Sequence, residues 1–272
     1  MKKTVFAVTL AALLTANIQA NTVGLYLGGQ IWQSEASGIF GEKNTLIDFN
    51  LKKEQQNNYF VAVEHPFPLL PNVLISSTTL NTTGKTNLTQ GFSFDDKTFL
   101  IDDDVNASFN VSYVDYTLYY ELFDKGVFSF DLGLTARDFN GGVTVTGITE
   151  IVTTIVEEDN VDHTHLIEEI SSSVTTGKIK TDEIVPMLYV ATNITLSLTG
   201  LSVFAQGNFL LIDHHSLYDY QVGLSYDLVD SIMVDFNLTL GYRAVKMEFE
   251  DLENLYTDLE FKGAFVGVIV HF

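Results

Sequence analysis

The chain has 272 residues, of which 46% are apolar, with 20 Phe, 12 Tyr and no cysteine; 14 Lys and Arg face 35 Asp and Glu, for a formal charge of −21. So many apolar residues exclude a disordered acidic chain, and the charge excludes a nucleic-acid binder, because phosphates would be repelled. The lack of cysteine excludes disulfides, zinc–thiolate sites and thiol nucleophiles.

Residues 1–20 read as an export leader. Lys2 and Lys3 form a positive start, Val5 to Leu14 an apolar run, and Ile18-Gln19-Ala20 a cleavage site. The run falls short of the ~20 residues a spanning helix needs. Residues 21–272 then read as one domain. A first strand is expected at about 22–32. An outer loop follows at 33–56 and takes in Leu46-Ile47-Asp48-Phe49-Asn50-Leu51. Pro66 to Asn72 forms a rigid inner turn, where proline offers no strand donor. Residues 84–107 form a second outer loop and Phe123 to Gly126 an inner turn. In 126–138, Phe128, Phe130, Leu132, Leu134 and Ala136 oppose Ser129, Asp131, Gly133, Thr135 and Arg137. Residues 139–183 lie outside. Their Thr/Val/Ile-rich part, 143–182, is expected to extend the flanking strands as a hairpin with its tip near Asp159 to His165.

Ile184 to Ile212 carries no charge and is long enough for a spanning helix. Its period is two, however, and Thr199-Gly200 breaks it midway, which means strand, turn, strand. Asp213 to His215 makes a short outer connection, Asp227 to Ser231 an inner one, and 248–257 an acidic outer one. Strong alternation fills 216–228, 231–243 and 264–272. The apolar rows match the ~9–11 residues of a membrane-crossing strand. Tyrosines sit near the row ends, as in an interfacial belt. The expected fold is all-β: a transmembrane, antiparallel up-and-down barrel of about ten strands, with twelve and eight as alternatives. Both termini face the periplasm and the long loops face outward.

The stretch Tyr59-Phe60-Val61-Ala62-Val63-Glu64-His65-Pro66-Phe67-Pro68-Leu69-Leu70-Pro71-Asn72 resembles a family of uncharacterised outer-membrane β-barrel proteins of Gram-negative bacteria. So do Val114-Asp115-Tyr116-Thr117-Leu118-Tyr119-Tyr120-Glu121-Leu122 and the terminal Phe272, which is similar to the signal read by the barrel assembly machinery. The resemblance implies a barrel in the outer membrane among lipids and lipopolysaccharide, and brings no catalytic residues or ligand.

Within such a barrel Asp131, Arg137, Asp219, Asp235 and Arg243 face one interior. A lone charge there is expensive, so a paired network is expected. It either plugs a narrow barrel or forms a charged constriction in a small pore. Acidic loops offer oxygen donors for Ca²⁺ or Mg²⁺, and Asp162, His163 and His165 are transition-metal candidates. Asp213, His214 and His215 at an outer strand tip are the catalytic candidates, with a carboxylate positioning a base that activates water. The expected role is that of a monomeric structural or interaction protein, or of a largely plugged pore for small solutes. A cell-surface hydrolase is the alternative.

Overall fold

The computed structural model describes residues 23–42, 45–67, 69–158, 164–212, 215–229, 231, 234–252 and 255–272. The expected leader lies outside these residues. The strands are β1 (Gly24–Glu42), β2 (Thr45–Ile47), β3 (Glu54–Glu64), β4 (Asn72–Asn87), β5 (Phe92–Phe94), β6 (Lys97–Phe99), β7 (Asp104–Asp124), β8 (Phe128–Glu158), β9 (Thr164–Thr181), β10 (Ile184–Leu196), β11 (Leu201–Ile212), β12 (His215–Val229), β13 (Asp235–Leu252) and β14 (Leu255–His271).

Ten of these strands close an antiparallel barrel in the order β1-β3-β4-β7-β8-β10-β11-β12-β13-β14, with β14 returning to β1. The final seam is fastened by two backbone hydrogen bonds between Leu25 and Phe272. β2 folds back on the upper end of β1, and β5–β6 is a separate small hairpin. β9 and β10 run down the same side of β8 in succession: β9 pairs with residues 141–158 and β10 with residues 128–138. The Phe139 amide bridges their junction by donating to the Glu183 carbonyl at 2.9 Å. Residues 128–196 therefore form one long hairpin, and its tip at 159–163 lies outside the described residues.

The lower part of the outer face is apolar. On β7 it shows Tyr116, Leu118, Tyr120 and Leu122; on β12 Tyr220, Val222, Leu224 and Tyr226; on β13 Leu238, Leu240 and Tyr242. Leu134 is 69% exposed and Leu240 59%. A continuous girdle of this kind exceeds the few hundred Å² of apolar patch that a soluble monomer shows, and its strands have the length that crosses a hydrocarbon layer. It is the lipid-facing belt of a transmembrane barrel. Among the described residues no helix is long and apolar enough to cross a membrane; the crossing is made by strands.

Above the belt the polarity inverts while the period of two continues. Along β7, Val105, Ala107, Phe109 and Val111 are buried inside, and Asp104, Asn106, Ser108 and Asn110 are exposed outside. Below Tyr113 the outward positions become the apolar ones. On β14 Leu255, Leu259 and Phe261 point inward against outward Asp258, Glu260 and Lys262; from Ala264 down the outward row is apolar. The strands thus run into the loops expected at 33–56, 84–107 and 248–257, while 143–182 extends its flanking strands as expected. Water, in place of lipid, is the solvent of their upper outer face, so polar residues there are strand residues.

The upper lumen is filled by apolar side chains. Phe92, Phe94 and Phe99 of the β5–β6 hairpin drop in from above, and Phe49 of the first outer loop joins them, all at most 1% exposed. Their rings interlock: Phe40 stacks on Phe49 at 4.5 Å, and Phe92 meets Phe94 and Phe99 at 5.8 Å. Each buried Phe contributes about 1.5–3 kcal/mol, so loop segments supply much of the plug.

Candidate functional site

At the level where polarity inverts, a charged cluster spans the lumen. Arg137 (β8) grips Asp115 (β7) with two prongs, Nε to Oδ1 and Nη2 to Oδ2, each 2.7 Å. Its Nη2 also donates to Asp219 Oδ2 on β12 at 2.9 Å. Arg243 (β13) grips Asp219 from the other side at 2.8 and 2.7 Å. The Tyr113 hydroxyl donates to Asp219 Oδ2 at 2.6 Å, and the Arg137 guanidinium lies 3.8 Å above its ring. Thr78 accepts from Arg243 at 3.2 Å. Asn208 donates to Asp115 at 3.3 Å.

Two guanidiniums and two carboxylates make the cluster neutral. Removing ions from water costs several kcal/mol each, repaid only by close geometry and further hydrogen bonds. Both-prong contacts between arginine and carboxylate supply that geometry.

Of the five charged residues expected in the lumen, Arg137, Asp219 and Arg243 meet. Asp131 and Asp235 lie elsewhere. Asp131 shares a strand and a face with Arg137 but stands six residues lower, roughly 20 Å along a strand. Asp235 opens β13 at the bottom rim and pairs with His271 Nδ1 at 3.2 Å. The His271 ring in turn stacks on Tyr26 at 4.1 Å. Tyr113 and Asp115 are cluster members the lumen assignment missed. Their inward phase was the available signal: odd positions from Val105 to Tyr119 are all buried.

Below the cluster the lumen opens. A small space of about 60 Å³ touches Asp115, Asp219 and Arg243. It adjoins a cavity of about 260 Å³ lined by Gln30, Phe60, Glu64, Tyr119, Asp131 and Tyr189 among others. A further cavity of about 350 Å³ lies at the lower mouth, by Glu121 and Asp124.

Asp213, His214, Asp162 and His163 lie outside the described residues. The backbones of His215 and His165 are described, opposite Ile212 and Glu157 respectively. Several acidic residues at the upper end are tied to backbone amides or to a neighbouring strand. Asp95 Oδ2 accepts the Lys178 amide at 2.9 Å, and Asp103 Oδ2 the Leu100 amide at 2.7 Å. Hydrogen bonds from Lys85 and Asn87 hold the Asp104 carboxyl below the usual carboxylate range. Among the described residues no group of three or more His, Asp or Glu side chains is placed to hold a metal ion.

No family model and no curated protein matches the sequence. Solved structures align over nearly the whole chain at low similarity. The transport unit of the autotransporter AIDA-I from Escherichia coli has 11% identity and a TM-score of 0.38, covering 97% of this chain and 94% of that one. The COG4313 outer membrane channel from Pseudomonas putida F1 has 8% identity and a TM-score of 0.32, covering 94% and 97%. The translocator domain of autotransporter NalP from Neisseria meningitidis has 9% identity and a TM-score of 0.31, covering 100% and 97%. This chain's own strand pairing closes the barrel.

Proposed function

We propose that the chain is an outer-membrane barrel of a Gram-negative envelope, exported through its leader, that acts as a monomeric structural or interaction element and does not conduct freely. The carrying observation is the stacked obstruction of the lumen: a neutral, hydrogen-bonded ion cluster with an apolar core directly above it. A ten-stranded barrel has interior width for side chains or a thin channel, and here side chains occupy it. The apolar girdle fits outer-membrane lipids, and the polar upper wall and loops are the part offered to lipopolysaccharide and surface partners. Phe272, at the closing seam, is the assembly-signal residue in this reading. The hydrolase alternative at Asp213, His214 and His215 has no observation among the described residues behind it.

Planar-bilayer recording of the purified, folded protein tests the reading. Silence, or rare brief openings, is expected. A large and steady single-channel conductance would overturn it.

A further inference from the structure

The lower lumen differs from the cluster above it in one chemical respect: its charge is uncompensated. Four carboxylates, those of Glu64, Glu121, Asp124 and Asp131, line the two lower cavities. Among the described residues no Lys, Arg or His lines either one. The cavities share Tyr26, Glu64, Ser129, Asp131 and Asn193, so they form one vestibule open toward the periplasmic rim. Glu64 accepts the Tyr119 hydroxyl at 2.7 Å. Asp131 has no ion pair or hydrogen bond with the described residues.

Tyr189 carries an independent indication of a ligand. It is only 5% exposed, lines the vestibule, and packs its ring 5.5 Å from that of Tyr119. Its hydroxyl has no hydrogen-bond partner among the described residues. That hydroxyl is left open to the vestibule, while two other lining atoms, Asn193 Oδ1 and Gln221 Oε1, are closed off without a donor. Buried polar groups normally have partners. The unused capacity here is mostly acceptor oxygen, so the complement is a donor that also brings positive charge.

Aromatic faces decide between kinds of cation. Tyr26, Phe60 and Tyr119 wall the cavity, and ring faces attract organic ammonium groups held close to them. A bare divalent ion instead asks for six or more oxygens around one point. We propose that this vestibule binds a small organic cation carrying one or two ammonium groups, with Asp131 and Glu64 as counter-charges and Tyr189 as a hydrogen-bonding wall. The pocket is closed above by the ion cluster, so the ligand enters and leaves from the periplasmic side. Binding does not depend on whether the lumen conducts.

The test is calorimetric titration of the folded, full-length chain in a non-ionic detergent. Putrescine and butylamine are the probes, and butane-1,4-diol is the neutral control. At least one amine is expected to bind with Kd below about 1 mM, and the diol to give no binding heat. Asp131→Asn weakens amine binding by about tenfold or more, and Tyr189→Phe, which keeps the ring, by about fivefold. Where Asp131→Asn fails to fold, Tyr189→Phe decides alone. Three results would overturn the assignment: no binding by either amine, equal binding of the diol, or unchanged affinity in every folded variant.

Discussion

Asp115 and Arg137 stand directly opposite each other in the β7–β8 register and meet through two 2.7 Å hydrogen bonds. Arg137 is 0% and Asp115 3% exposed. Their pairing shows how the barrel tolerates charge in its middle: each of these two ions stands where its cross-strand neighbour already points.

Breaking that pair on one side should be costly. Arg137→Ala leaves Asp115 without its cation, and a loss of about 3–5 kcal/mol is expected. Arg137→Met combined with Asp115→Leu removes one charge of each sign and leaves Asp219 with Arg243. That double variant is expected to lie within about 2 kcal/mol of the parent. Urea unfolding from lipid vesicles measures both. A double variant that loses as much as Arg137→Ala would show the cluster to be worth more than its neutrality.

The belt makes a second prediction. Leu134→Arg puts a charge on the lipid face, and about 2–4 kcal/mol is expected to be lost. Ser108→Arg, on an outward position above the belt, should stay within about 0.5 kcal/mol. Equal losses at the two sites would remove the distinction between lipid-facing and water-facing wall.

The third concerns the seam. A Cβ on Gly263 would run into the Gln33 backbone carbonyl of the neighbouring strand. Gly263→Ala therefore pushes β14 from β1 where the barrel closes, at an expected cost of about 1–3 kcal/mol. Gly91, whose added Cβ would come no closer than 3.9 Å to another residue, is the control: Gly91→Ala should be silent. The shift between folded and unfolded bands in unboiled gels, read across a urea series, separates the two.

Much of this barrel was legible because a membrane strand states its facing at every residue. Leu134 and Arg137, or Leu240 and Arg243, differ by an odd number of positions and so must face oppositely. That reasoning found the ten strands, the inner turns and three of the four charges in the cluster. It could not find height. Asp131 and Arg137 share a face of β8, yet they serve different environments, and only cross-strand register shows that Asp115 and Asp219 stand at the level of Arg137 and not of Asp131. Asp115 was hidden because Tyr113 and Tyr119 in its own inward row are aromatic like the outward Tyr116 and Tyr120, which blurs the polar–apolar contrast. The plug was hidden for another reason. Phe92, Phe94 and Phe99 sit in strands of three residues, too short for periodicity to show, and their ring partners outside the hairpin, Phe40 and Phe49, lie far upstream in the sequence.

One continuous wall changes solvent at the level of the ion cluster. The chain has no cysteine, so single cysteines can be placed at will. Nitroxide labels at outward positions 106, 108, 110, 112, 114, 116, 118 and 120 of β7, in the lipid-reconstituted protein, measure that change directly. Positions 106 to 112 should be reached by a water-soluble nickel complex, and positions 114 to 120 by oxygen dissolved in lipid, with the crossover between 112 and 114. Nickel access along the whole row, or a crossover displaced by a full strand turn or more, would contradict the account.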